Sequence, residues 1–226
     1  DSVLHVLLTA CDENIFSFRM RAVKMLGSTV KSEKVLCTLR KIVLKDSDEE
    51  VRVCAVEAIT KLGAKDPLTK KAMRQALVDK DIYVRRHLIA FFLTMKARDS
   101  LTIEALHRVL LTDKDEEVRS LCASAFGMLG DSGQLTVSGL RQALGDAYIV
   151  VKEKVVAALI LLKINDNLTI MEFRRMLEDN DERVQILGAQ ALEQSSVSDA
   201  ETVVSLEQAL GDSDPNVRCA VSRALL

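Results

Sequence analysis

Asp46, Asp48 and Glu50 alternate along the run DSDEEVR, and Glu57 follows seven residues after Glu50. That spacing puts carboxylates at the first, third, fifth and twelfth places of an EF-hand-like calcium loop, whose hard oxygen ligands suit a hard cation. The sixth place needs glycine for the sharp turn, and here it is Val51. A near copy, DKDEEVR from Asp113 to Arg119, has Ser124 at the twelfth place. The pattern argues against calcium and asks why one chain spells the phrase twice. The other reactive residue types are sparse. His5, His87 and His107 are followed by Val, Leu and Arg, and Cys11, Cys37, Cys54, Cys122 and Cys219 are scattered singly without a CxxC pair. Zinc is not expected from this arrangement. No nucleophile–base pair or glycine-rich phosphate loop stands out. The residues therefore predict no catalytic residue, no metal site and no cofactor.

The two acidic phrases belong to a longer register. Taking the pair Val51-Arg52 as a landmark, equivalents fall at Phe18-Arg19, Val84-Arg85, Val118-Arg119, Val151-Lys152, Val184-Gln185 and Val217-Arg218, every 33 or 34 residues. Five residues before each landmark lies an acid: Glu13, Asp46, Asp79, Asp113, Asp146, Asp179 and Asp212. Eight residues after lies a large apolar residue: Leu26, Ile59, Phe92, Phe126, Leu159, Leu192 and Leu225. A Leu-Thr pair recurs at Leu68, Leu101, Leu135 and Leu168. A period in this range marks a repeat array. Each unit predicts two helices. The second begins at an acidic turn, where Asp48, Asp81, Asp115, Asp181 and Asp214 suit an N-cap. It continues with apolar residues at helical spacing, such as Val118, Cys122, Ala125 and Phe126. Pro67 and Pro215 fit the first position of a helix. Two such helices cannot bury their apolar faces alone, so successive pairs must stack.

Composition agrees with that class. The 226 residues are 48% hydrophobic and 28% charged, with two prolines and no tryptophan. A formal net charge of −2 argues against a generally basic nucleic-acid binder. Charge is unevenly distributed, +5 over residues 1–113 and −7 over 114–226. No apolar run approaches the ~18 residues that suggest a membrane span, so no membrane insertion is expected. An odd number of unpaired cysteines suits a reducing compartment, which places the chain inside the cell, in the cytoplasm. The absence of an initiating methionine and of a terminal stop signal suggests a single domain over 1–226 within a longer protein.

The segments LKDSDEEVRVCAVEAI (Leu44 to Ile59) and LGDSDPNVRCAVSRAL (Leu210 to Leu225) follow the pattern L-x-D-x-D-x-x-V-R-x-x-A-x-x-A-L. That pattern resembles the HEAT repeat, in the short form also found in phycobilisome lyases and deoxyhypusine hydroxylase. The resemblance covers the whole chain. It implies an all-α fold, a right-handed α-α superhelix of about seven two-helix repeats, elongated over roughly 60–70 Å if layers are about 8–10 Å apart. It also implies a ladder in which turn aspartates pair with landmark arginines of neighbouring repeats: Asp46, Arg52, Asp79, Arg85, Asp113, Arg119, Asp212 and Arg218, with Arg19 at the first unit. Lys152 lacks the arginine fork and Gln185 lacks its charge, so the ladder should weaken there, with Arg183 as a substitute. Hydroxylases of this superfamily use repeated His-Glu pairs as iron ligands, and this sequence has none.

The resemblance makes the second helices the lining of a concave face, with Arg86, Ala90, Ser124, Glu153, Ala157 and Gln190 as its partner-binding residues. Ala90, Ser124 and Ala157 either leave a shallow trough for a partner helix or peptide or tighten packing between repeats. The expected function is a non-catalytic protein-interaction scaffold, binding a protein or peptide on that face or at its ends. Val217, Val221, Ala224 and Leu225 would offer an apolar end for self-association. The alternatives are a degenerate lyase or hydroxylase relative and a nucleic-acid-binding module. Basic residues on the second helices do not continue past the early units, and two tyrosines and six phenylalanines leave few stacking platforms.

Overall fold

The computed structural model describes residues 2–29, 31–196 and 199–226. Among them are fourteen α-helices and no strands. They pair as α1 (Ser2–Ala10) with α2 (Phe16–Leu26), α3 (Glu33–Lys45) with α4 (Glu49–Lys61), and α5 (Pro67–Ala76) with α6 (Ile82–Thr94). Next come α7 (Ser100–Thr112) with α8 (Glu116–Leu129), α9 (Gln134–Ala143) with α10 (Ile149–Leu161), α11 (Asn167–Met176) with α12 (Glu182–Ser195), and α13 (Ala200–Ala209) with α14 (Pro215–Ala224). The fold is all-α, built from seven two-helix repeats. The chain divides into two compact units, residues 1–106 and 107–226, with the division inside α7.

In unit 1, each first helix packs on its own second helix, α2, α4 and α6 form one row, and α3 packs on α5. In unit 2, α8, α10, α12 and α14 form a row, and α11 packs on α13. The landmark valines Val51, Val84, Val118, Val151, Val184 and Val217 are buried, as are Leu26, Ile59, Phe92, Phe126, Leu159 and Leu192. A second helix is flanked by its own first helix and by its neighbours in the row, so it needs apolar residues on more than one side. That explains why α10, IVVKEKVVAALIL, is apolar nearly all round.

The helix starts are set by short carboxylates. Asp48, Asp81, Asp115, Asp181 and Asp214 each accept from backbone amides in the first turn of their helices. First helices are capped likewise by Asp66, Asp99, Asp166 and Asp199. Close approach along the rows depends on glycine. A β-carbon at Gly127 would lie 3.1 Å from the Ala158 Cα, so a side chain there would push α8 from α10. Val217 and Val221, expected to be exposed on the last helix, are buried; they pack within the last repeat and toward α12.

One column was not anticipated. Second helices of successive repeats end in a left-handed residue: Gly63, Lys96, Gly130, Lys163 and Ser196 all have φ between 50° and 67°. Only glycine adopts that conformation without crowding its Cβ, and the penalty for other residues is about 1–2 kcal/mol. Replacing Lys96 or Lys163 by glycine should therefore raise stability by about 0.5–1 kcal/mol after the entropy glycine adds to the unfolded chain. Gly130→Ala should lower it. Urea midpoints of the three variants check both signs.

Candidate functional site

The charged side chains are gathered first into a ladder. Arg19 Nε and Nη2 donate to the two carboxylate oxygens of Asp46, both at 2.9 Å. Arg52 meets Asp79 in the same two-pronged way at 2.8 Å, and Arg119 meets Asp146 at 2.6 and 2.9 Å. Each aspartate lies 27 residues beyond its arginine, one repeat on. The remaining prong, Nη1, returns to the arginine's own turn, to the carbonyls of Glu13, Asp46 and Asp113 respectively. Arg85 Nη1 likewise donates to the Asp79 and Lys80 carbonyls, and Arg218 Nη1 to those of Asp212 and Ser213. The Asp113 carboxylate accepts from the Asp115 amide.

The rungs at the departures are weaker. Lys152 Nζ stands 3.8 Å from Asp179, and the uncharged Gln185 amide gives Asp212 a single hydrogen bond of 3.0 Å. Arg183 does not substitute: its guanidinium folds onto Asp181, the cap of its own helix, two residues away. A fork that can close on an adjacent carboxylate gains little by reaching a repeat further.

A second ladder runs along the first helices. Arg40 donates to Asp66 and Thr69, Arg74 to Asp99 and Thr102, Arg141 to Asp166 and Thr169, and Arg174 to Asp199. The threonines of the Leu-Thr pairs, with Thr202, are fully buried. Thr69, Thr102, Thr169 and Thr202 each donate to the capping aspartate three residues earlier. The recurring Asp-x-x-Thr was the available signal; the Leu-Thr pair drew attention to the wrong neighbour, since the leucines are exposed.

Thiol chemistry is suppressed where the cysteines are buried. Burial pushes the Cys11 thiol up to about 11 and raises Cys54 and, more strongly, Cys122, so all three stay protonated near neutrality. Cys219 and Cys37 are exposed. Among the described residues, no group of three or more His, Cys, Asp or Glu is arranged to hold a metal ion. Among the described residues, no helix is long and apolar enough to cross a membrane.

The residues expected to meet a partner lie on the second helices. In unit 1, Arg86 is half-buried and Ala90 exposed on α6. Beside them is a cleft of about 340 Å³, lined by Lys24 of α2, Cys54 and Glu57 of α4, and Tyr83 and His87 of α6. His87 Nδ1 lies 2.7 Å from the Tyr83 carbonyl, so Nδ1 carries the proton, and Nε2 faces Glu57 at 3.4 Å. In unit 2, Ser124 of α8, Ala157 of α10 and Gln190 of α12 occupy equivalent turns of three consecutive second helices, with Glu153 one turn from Ala157. Ala157 and Glu153 are exposed, Ser124 and Gln190 half-buried. Near them, Met128 and Leu161 are each 62% exposed, which sequence periodicity did not reveal.

The ladders carry a pH signature. Desolvation would raise the Asp146 carboxyl, but the Arg119 hydrogen bonds and charge hold it below the usual carboxylate range. Asp66, Asp99 and Asp166 are depressed in the same way against desolvation, by Thr69 and Arg40, by Lys70 and Thr102, and by Thr169 and Arg141. A carboxylate depressed by folding stabilises above its unfolded value of about 4 and loses that contribution as pH falls through its folded value. Stability should therefore be level above pH ~5 and decline below pH ~4. Asp146→Asn should cost about 3 kcal/mol at pH 7 by stranding the buried Arg119 and flatten the acid decline. Denaturant titrations from pH 7 to pH 3 check both.

The sequence profile of HEAT repeats matches residues 2–91 and 70–160. No curated protein matches the chain. Among solved structures, Escherichia coli YibA superposes with a TM-score of 0.64 at 19% identity, covering 99% of this chain and 81% of that one. The complex of CpcE and CpcF of phycocyanin lyase from Nostoc sp. gives 0.54 at 17% identity, covering 98% and 93%. An engineered protein gives 0.52 at 18%, covering 98% and 67%. At such identities these likenesses speak to the fold alone. With the profile spanning most of its length and the repeat register intact throughout, the chain belongs to the HEAT-repeat family.

Proposed function

We propose that this chain is a non-catalytic scaffold that binds a protein partner, an amphipathic helix or extended peptide, along its second helices. The observation that carries the reading is the exposed apolar strip of α8 and α10. Met128 and Leu161 stand in solvent beside the small side chains of Ser124 and Ala157. Large exposed apolar side chains flanking small ones are the surface a helix or peptide fills. The charged residues support the same reading, because the ladder arginines and aspartates satisfy one another and the buried thiols are protonated. The CpcE–CpcF structure is itself a complex of two chains. The free state of all five cysteines supports a reducing, intracellular setting.

Ser124→Arg with Ala157→Arg would put two long cations into the strip without touching a ladder. Affinity capture with the intact protein should lose its specific partners in the double variant, while circular dichroism and Tm stay unchanged. Leu68→Arg, on a first helix, should leave capture as it was. Partners retained by a folded double variant, or turnover of a substrate by the pure chain, would overturn the reading.

A further inference from the structure

We propose that unit 2 opens at the seam between the α9–α10 and α11–α12 repeats, so that the block α11–α14 separates before the rest unfolds. Three observations meet there. The first is the rung. Where arginine forks close on Asp46, Asp79 and Asp146, those side chains are 6%, 11% and 10% exposed. Lys152 holds Asp179 at 3.8 Å and leaves it 36% exposed. An ammonium at that distance makes no hydrogen bond, whereas a guanidinium fork makes two charge-assisted ones.

The second is space. A cleft of about 410 Å³ runs beside that rung, lined by Gly145, Lys152, Glu172, Arg175 and Asp179. The third is packing. Among second helices that neighbour one another within a unit, α10 and α12 share the thinnest contact, while α8 and α10 share the broadest. The Gly127–Ala158 approach explains the tight pair.

The next seam shows why charge alone does not decide. Gln185 is also a poor rung, yet α12 and α14 pack broadly. On the opposite edge of the loose seam, Arg141 still grips Thr169 at 2.8 Å. On its first-helix edge the seam is held by these Arg141 side-chain contacts rather than by broad packing of α9 on α11, and on its second-helix edge the packing is thin. A repeat array distributes its stability over nearest-neighbour interfaces, so the weakest interface defines the first opening. Ala157 on α10 and Gln190 on α12 flank this seam, so a ligand touching both would hold it closed; that last consequence rests on the proposed function, whereas the opening does not.

Hydrogen exchange with mass-spectrometric readout on the intact chain tests it. Protection should drop as a step of about tenfold or more between α10 and α11. Lys152→Arg should raise protection throughout α11–α14 about tenfold and leave α3–α6 unchanged. Arg119→Lys, at the broadly packed α8–α10 pair, should leave the step between α10 and α11. Uniform protection across α8–α14 in the unaltered chain overturns the proposal. So does a folded Lys152→Arg protein whose α11–α14 exchange is unchanged, and so does a step that moves to the α8–α10 seam in Arg119→Lys.

Discussion

The structure depends on a carboxylate that is asked to do two things at once. Asp46 accepts the fork of Arg19 from the preceding repeat and the amide of Asp48 from its own turn. Asp79 and Asp146 do the same with Arg52 and the Asp81 amide, and with Arg119 and the Tyr148 amide. The arginine is equally divided, with two prongs on the neighbouring repeat and one on its own turn carbonyl. A buried ion pair is a poor stabiliser when it merely replaces apolar contact, because both charges lose water. Here donors and acceptors are filled on both sides, so the pair fixes the turn, the helix start and the inter-repeat register together. Among the described residues no buried side-chain polar atom lacks a partner.

That division of labour limits what is left for chemistry. Residues that in isolation look like a metal loop are committed elsewhere: Asp46 to Arg19, Asp48 to the amides of Glu50 and Val51. On α8 and α10 the exposed side offers Met128 and Leu161 beside Ser124 and Ala157, with Glu153 and Lys154 standing in solvent next to them.

The repeat register was readable because the same physical problem recurs every 33 or 34 residues. Capping carboxylates, buried valines and the large apolar residue eight positions on all solve it in one way. What the register hid were features whose sequence signature is diluted. The left-handed column reads as glycine at 63 and 130 but as lysine at 96 and 163, so the conformational requirement is masked by residues that tolerate it at a cost. The exposure of Met128 and Leu161 was hidden for a different reason. A helix buried on several sides is apolar all round, and periodicity cannot say which apolar residue faces water. Cys219 shares a helix with buried Val217 and Val221, yet its own side is open. Arg183 was misassigned because spacing alone ignores a nearer carboxylate on the same turn.

The two ladders in unit 2 also constrain one another. Between the α7–α8 and α9–α10 repeats, the first-helix donor column holds His107 where its neighbours hold arginine, and Thr136 is left to Asp131. Gly139 makes room for the imidazole, since a β-carbon there would lie 2.5 Å from His107 Cδ2. At that seam the second-helix rung, Arg119–Asp146, is complete. One repeat later the pattern inverts, with Lys152 poor and Arg141 engaged with Asp166 and Thr169. At the last seam Gln185 is neutral, and Arg174 reaches both Asp199 and Glu201. Each seam thus keeps at least one charged fastening. If the two were redundant, degraded rungs would be free to coincide. Within unit 2 they do not coincide: the last two seams both lack the second-helix fork, and there the charged fastening falls to Arg141 and Arg174 on the first-helix edge.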